Sequence, residues 1–143
     1  RQKSWIIDFF VFFTALTKQT NMTIKTKTTI SLILTILVSA LFIFSAVGKI
    51  AGTKEVIEGA KAMGLTPATM RNIGIIEIII TLLFASKRTG VLGGILLVAY
   101  MGGAIATHLE HGQSVVAPLV IAVFVGVVAM FRFPELSNRL LGK

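Results

Sequence analysis

Four long runs that are almost free of charged residues constrain the fold of this chain more than any other feature. They cover residues 28–48, 72–86, 89–109 and 112–131. A helix needs roughly 20 apolar residues to cross the hydrocarbon core of a bilayer. Three runs reach this length, and the second does so if its helix starts near Pro67. The sequence therefore predicts an all-α protein, a four-helix transmembrane bundle whose mass lies almost wholly in the bilayer.

Turn and capping residues set the order of the predicted spans. Thr66 and Pro67 suit the N-cap and first position of a helix, so the second span should begin there. Lys87 and Arg88 leave room only for a tight turn, so the second and third spans should form an antiparallel hairpin. We expect an up-down-up-down bundle with spans at about 28–50, 67–86, 89–109 and 115–131.

One membrane domain is predicted for residues 22–143, preceded by an N-terminal extension, residues 1–21. The apolar stretch of the extension is too short to span a bilayer, and Met22 is a plausible start just before basic residues. Two interpretations are open: an upstream extension foreign to the natural product, or an interfacial segment at the membrane surface. We expect the extension to be dispensable for insertion.

The first loop is long enough to hold a short amphipathic helix. Thr53 suits an N-cap, apolar residues repeat at helical spacing from Val56 to Met63, and Gly64 is placed to end the helix. Charged residues lie between the apolar ones. We therefore predict a helix that lies on the membrane surface.

The net charge of +8 reflects basic residues that flank the apolar runs. This distribution is typical of membrane-flanking anchors, and it argues against a nucleic-acid reader, whose basic residues cluster on one face. The positive-inside rule then places both termini and the second loop in the cytoplasm. The residues that set this orientation are Lys18, Lys25, Lys27, Lys87, Arg88, Arg132, Arg139 and Lys143.

Glu77 is the exceptional residue of the second span. It lies about 15 Å along the helix from Pro67, near the middle of the membrane. A carboxyl group there is costly unless it is paired, protonated or close to water. Two interpretations are open: a protonated glutamic acid that holds neighbouring helices together, or a functional group for protons or a ligand.

Other polar residues converge on the same half of the membrane. Lys49 ends the first span, and Tyr100, Thr107 and His108 share one face at the end of the third. Taken alone, Lys49 suits a snorkelling anchor and His108 an interfacial histidine. Taken together with Glu77, they predict a ligand-binding polar pocket in the outer half, formed by Lys49, Glu77, His108, Tyr100 and Thr107.

Several kinds of chemistry have no signature in the sequence. There are no cysteines, so the chain offers no disulfide, thiolate nucleophile or cysteine-ligated cluster. Phosphate-loop, nucleophile-elbow and zinc-protease motifs are missing. His108 and His111 with Glu110 are only a weak metal signal, so no metal site is predicted and no catalytic residue is assigned. A redox role would need a bound cofactor or a partner.

The third span is rich in glycine. Gly90 and Gly94 form a small-xxx-small pair, and Gly93, Gly102 and Gly103 add to it. Such residues let helix backbones approach closely where lipid supplies no hydrophobic driving force. We therefore expect this span to mediate helix packing, and a homo-oligomer could form through it.

Short motifs in the first three spans and their loops resemble the DoxX-like family of small bacterial membrane proteins. They are LFIFSAVGKIAG, MGL, GIIEI, KRTGVLGG and ATHLEHG, in this order over residues 31–132. The resemblance implies a four-helix protein of the bacterial cell membrane. It also implies a link to quinone-coupled sulfur oxidation or oxidoreductase complexes, and a distant animal relative is linked to receptor assembly. Lys49, Glu77 and His108 match the family by position only.

Two functions follow as hypotheses. In the first, the protein is an accessory subunit of a membrane oxidoreductase system, and its pocket binds a quinone or another lipid-soluble ligand. In the second, it is a non-catalytic assembly factor or structural accessory protein. Both place it in a lipid bilayer beside a membrane or redox protein partner, and neither involves nucleic acid.

Overall fold

The computed structural model describes residues 24–140 and Gly142 and is helical throughout this part of the chain. The predicted extension, residues 1–21, lies outside the described residues. Six helices lie in this part of the chain. The first five begin and end within a few residues of the predicted spans and loop helix, and the sixth was not predicted. They are α1 Ile24–Ala51, α2 Lys54–Ala62, α3 Pro67–Ala85, α4 Gly90–Glu110, α5 Val116–Arg132 and α6 Pro134–Leu140.

Within residues 24–140, three helices are long and apolar enough to cross a membrane, namely Lys25–Ala51 within α1, all of α3 and all of α4. The fourth predicted span is present as α5, an apolar helix of 17 residues. This length is at the lower end of the range for a crossing helix. The all-helical membrane architecture is therefore confirmed, whereas four crossings in an up-down-up-down order stay a prediction.

The first loop holds the predicted short helix, α2. Thr53 precedes it as predicted but makes no side-chain capping bond, and Gly64 follows it with a φ of 64°. The start of α3 is capped as expected, since the Thr66 hydroxyl accepts a hydrogen bond of 3.1 Å from the Thr69 N–H. Pro67 is the first residue of α3. The sequence signals thus predicted where α2 and α3 begin, but only Thr66 acts as a side-chain cap.

The helices pack around one apolar core. α3 lies between α1 and α4, and α5 packs against both α4 and α1. Large apolar side chains on the opposite faces stay exposed, with Phe44 the most exposed at 83%. Such a surface needs lipid around it. The core consists of Val38, Phe42, Ile80, Phe84, Leu97, Met101, Val125, Val128, Ala129 and Phe133.

Glycines of α4 allow close helix packing inside the chain. A Cβ atom on Gly93 would lie 2.1 Å from the backbone nitrogen of Phe84, so α3 and α4 touch there through their backbones. Gly90 and Gly94 lie against side chains instead, those of Phe133 and Ala129. The predicted small-xxx-small pair therefore faces this chain's own helices. Only Gly102 and Gly103 of α4 have open space beside them, and oligomerisation through that part stays a prediction.

Two side chains from outside α3, those of Thr89 and Arg132, donate hydrogen bonds to its last carbonyl groups. Helices leave their last carbonyl groups without partners in the helix. The Arg132 guanidinium donates to the carbonyls of Phe84, Ala85 and Ser86, at 2.8 Å from Nη2 to Ala85. The Thr89 hydroxyl donates to Leu83 at 2.9 Å. Arg132 was predicted only as a membrane-flanking residue, and the structure also makes it the cap of another helix.

Candidate functional site

An ion pair joins the two charged groups inside the bundle. Lys49, near the end of α1, lies 2.7 Å from Glu77 of α3, measured from Nζ to Oε2. The Glu77 side chain is 1% exposed and that of Lys49 is 16% exposed. The predicted meeting of Lys49 and Glu77 is thus present. Their role in binding a ligand stays a prediction.

A close approach between α1 and α3 brings these two side chains together. Gly74 precedes Glu77 by one turn, and a Cβ atom at Gly74 would lie 2.9 Å from the Ala46 carbonyl oxygen and 3.1 Å from the Lys49 Cβ. Only a residue without a side chain leaves α1 this near. The short distance between the helix axes lets the lysine reach the carboxylate.

Further polar groups orient the ion pair. Ser45 lies one turn before Lys49 on α1, and its hydroxyl accepts a hydrogen bond from the ammonium group. The phenol of Tyr100 on α4 interacts electrostatically with Glu77. The Tyr100 ring is itself held by Phe42 in an edge-on contact, with 6.2 Å between ring centroids. Three helices thus contribute to the surroundings of one buried carboxylate.

Thr107 and His108 do not join this cluster. The Thr107 hydroxyl donates to the Gly103 carbonyl of its own helix at 3.0 Å. The half-buried His108 has no hydrogen-bond partner for Nδ1 within the described part of the chain. Polar contacts among the described residues link Lys49, Glu77 and Tyr100, and a ligand pocket formed by all five residues stays a prediction.

The two ring nitrogens of His111 lie near backbone atoms of Thr107 and Gly64. Its Nδ1 atom lies 2.9 Å from the Thr107 carbonyl oxygen, and its Nε2 atom faces Gly64. Among the described residues no group of three histidine or acidic side chains is placed to hold a metal ion. The histidines at this end of α4 therefore give no structural support to a metal site.

An open groove adjoins the ion pair. It has a volume of about 550 Å³ and lies between the end of α1, helix α2 and the start of α3. Lys49 and Ser45 are polar residues on its α1 wall, and Val56, Met63 and Met70 are among the apolar residues that face them. The groove is large enough to take part of a small molecule. Its surface is largely apolar, and Thr53 and Glu55 add polar groups at the start of α2.

Lys49 keeps one hydrogen-bond donor available at this groove. A lysine ammonium group has three N–H donors and no acceptor. Two of the donors are taken by Ser45 and Glu77, and within residues 24–140 no acceptor is in hydrogen-bond range of the third. The pair has no net charge, yet it can still donate to a carbonyl or carboxylate oxygen of a bound molecule.

Two parts of this site could not be predicted from the sequence, namely Ser45 and the groove. No sequence motif distinguishes Ser45 from the other serine and threonine residues of the first span. The groove arises from the angle at which α2 leaves α1, which hydrophobic periodicity does not encode. The helical spacing of four between Ser45 and Lys49 was the one signal that could have linked them.

Long apolar helices with exposed apolar surfaces and an internal ion pair define a multi-pass integral membrane protein in a lipid bilayer. The model of the DoxX-like family matches residues 33–131, which is more than half of the chain and includes the whole ion-pair cluster. The chain belongs to the DoxX-like family, as the motifs indicated. No curated protein and no solved structure matches it significantly.

Proposed function

We propose that this protein binds a quinone, or a lipid-soluble molecule with a similar carbonyl head, at the groove beside the Lys49–Glu77 pair. The observation that carries the proposal is the third donor of Lys49, which has no acceptor among residues 24–140 and lies at the wall of a largely apolar groove. A carbonyl oxygen is a suitable acceptor for that donor. The neutral pair provides the hydrogen bond without placing a net charge in the membrane.

In this proposal the protein is an accessory subunit of a membrane oxidoreductase system. Reduction of a quinone consumes electrons and protons. The chain has no cysteine, so the electrons come from a partner protein or from a cofactor that the partner brings. Lys49 is the polar residue of the pair that lines the groove, and Glu77 holds its ammonium group from behind. This chain would supply the binding place and orientation for the quinone.

We propose a four-span arrangement in the bacterial cell membrane, with both termini in the cytoplasm. The length of α5 allows a crossing, and its last residue, Arg132, is basic, as is typical of a cytoplasmic flank. The ends of α1 and α4 and the start of α3 then lie in the outer half. The groove would open there.

A second function, that of a non-catalytic assembly factor, is favoured by the internal pairing of Lys49. Glu77 is almost completely buried and has its counter-ion on the neighbouring helix. This pairing is also what a purely structural role in holding α1 against α3 would require. The two functions differ in whether a lipid-soluble molecule depends on the pair.

The test compares quinones retained by the wild-type protein and by a Lys49→Met/Glu77→Gln double variant. The double substitution removes both charges, so neither is left buried alone. Each protein is extracted with its surrounding lipid, and quinones are quantified per protein by mass spectrometry. We expect the double variant to lose most of the quinone. The matched control is Lys61→Met/Glu58→Gln on the exposed face of α2, which should retain it.

Equal quinone in the wild type and in the Lys49–Glu77 double variant, with both correctly folded, would contradict quinone binding at this pair. If the double variant then lost a co-purifying membrane protein, the assembly function would be the correct one.

A further inference from the structure

The groove opens toward lipid along one side of α1. Phe44 and Val47 line it, and both are strongly exposed, at 83% and 53%. In a bilayer these two side chains lie against acyl chains. A molecule dissolved in the membrane therefore has a sideways route to Lys49 that does not pass through water.

Gly59 keeps the opposite wall of the groove open. It lies in the middle of α2 and lines the groove, and a Cβ atom at this position would have no neighbour within 4 Å. Glycine weakens a helix interior relative to alanine. Close packing does not require glycine here, in contrast to Gly74. A side chain at position 59 would extend into open space at the wall of the groove.

We propose that the groove takes the apolar tail of a membrane-dissolved amphiphile that enters sideways between α1 and α2. The head of this molecule accepts the free hydrogen bond of Lys49, and the tail passes between Gly59 and the lipid-exposed side of α1 at Phe44. Gly59 is then the residue that decides whether a tailed ligand fits. This inference rests on the proposed function and adds the class of ligand and its route.

The experiment measures binding of two probes that share a benzoquinone head, one with a saturated alkyl tail and one without. Wild type, Gly59→Phe and Gly102→Phe are compared at equal lipid concentration, so that partitioning of the probes into lipid cancels between proteins. Gly102 is the matched control because it also has open space beside it but lies on α4, away from the groove.

We expect Gly59→Phe to weaken binding of the tailed probe by about tenfold or more, since several buried methylene groups lose their place. Binding of the probe without a tail should stay within about twofold of wild type. Gly102→Phe should change neither. An unchanged affinity of Gly59→Phe for the tailed probe would overturn the inference.

A second measurement does not depend on the folding of Gly59→Phe. The chain has one tryptophan, Trp5. In a Trp5→Phe background, Phe44→Trp places a fluorescent reporter at the open side of the groove, and Leu82→Trp, 62% exposed on α3, is the control. A quinone with a brominated tail should quench the reporter at position 44 at lower concentration. Equal quenching at both positions would contradict entry beside Phe44.

The Lys49→Met/Glu77→Gln variant separates failure of this inference from failure of the proposed function. If that variant loses both probes while Gly59→Phe still binds the tailed one, the head-group site stands and the tail route is wrong. If the double variant binds both probes as the wild type does, the proposed function is wrong as well.

Discussion

At the scale of single residues, burial of the Glu77 carboxyl group inside the bundle carries a large free-energy cost. The carboxylate lies within a helix that can cross the membrane, where a lone acidic group costs about 3 kcal/mol on insertion scales. Lys49 removes most of this cost, because its ammonium group approaches to 2.7 Å. A buried pair of this kind adds little net stability, yet the loss of one partner is expensive.

We expect Glu77→Gln to destabilise the bundle by about 2 kcal/mol, because Lys49 is left without its counter-ion. The expected loss is below the 3–5 kcal/mol of a fully buried pair, since the lysine side chain is 16% exposed and can turn toward water. Thermal unfolding in detergent measures it. Adding Lys49→Met should restore most of the stability, and a double variant less stable than Glu77→Gln would contradict a structural pairing.

The close approach of α1 to Gly74 leads to a second prediction for a single residue. Gly74→Ala introduces a Cβ atom 2.9 Å from the Ala46 carbonyl, so α1 must move away from α3. We expect a loss of about 1–3 kcal/mol, as for overpacked cores, and weaker pairing of Lys49 with Glu77. The control is Gly102→Ala, whose new atom meets open space and should be neutral or slightly stabilising. Equal unfolding midpoints would show that the close approach does not matter.

At the scale of helices, side chains from outside α3 supply most of the donors for its last carbonyl groups. Leu82 accepts from the Ser86 N–H at 3.1 Å, Leu83 from Thr89 at 2.9 Å, and the following three carbonyls from Arg132. The guanidinium also lies over the Phe84 ring, 5.2 Å from its centroid. Every carbonyl from residue 82 to residue 86 therefore has a donor.

Arg132→Gln removes a charged group from this helix end. We expect a loss of about 1–3 kcal/mol, because several carbonyls lose their donor and the aromatic contacts of the guanidinium disappear. Amide hydrogen exchange should rise selectively at the end of α3. Arg139→Gln is the matched control, since Arg139 is exposed on α6, and it should change stability by less than about 0.5 kcal/mol. Indistinguishable exchange in the two variants would rule out a capping role.

Much of the helical architecture could be predicted because the relevant signals are local. Apolar runs of span length marked α1, α3 and α4, and the Thr66–Pro67 pair marked the start of α3. The meeting of Lys49 and Glu77 was also predictable, because a charge inside a membrane needs a partner and few are available. These inferences need only hydrophobicity, capping geometry and the cost of burying charge.

The remainder depends on contacts that the sequence does not specify. Basic residues at a membrane flank look alike, so Arg132 could not be distinguished from Lys87 as a helix cap. The glycines of α4 indicated close packing but not whether the neighbour was α3 or a second copy. His108 has the right position along its helix for the pocket, yet helix rotation and tilt decide whether it reaches Glu77.

At the scale of the whole molecule, the orientation in the membrane is open to a direct test. We expect single cysteines at Glu58 on α2 and at Arg139 on α6, both exposed positions, to react with a membrane-impermeant maleimide from opposite sides. The expectation follows from four crossings with both termini in the cytoplasm. The lack of native cysteines makes every label attributable to the engineered site.

Labelling of both positions from the same side would show that one predicted crossing is absent. The shortest apolar helix, α5, is the first candidate, because its 17 residues leave no surplus length for tilt. Alkylation before and after membrane permeabilisation distinguishes an inaccessible cysteine from one on the inner side.

The capping of α3 by Arg132 has a consequence for how the protein is made. The carbonyls at residues 84–86 receive their donor from a residue 46–48 positions later in the chain. During synthesis, α3 and α4 therefore leave the ribosome well before the arginine that completes α3. Until α5 follows, these carbonyls depend on water or lipid head groups at the membrane surface. A nascent chain that ends before Arg132 therefore carries three carbonyl groups at the end of α3 that lack the side-chain donor of the complete protein.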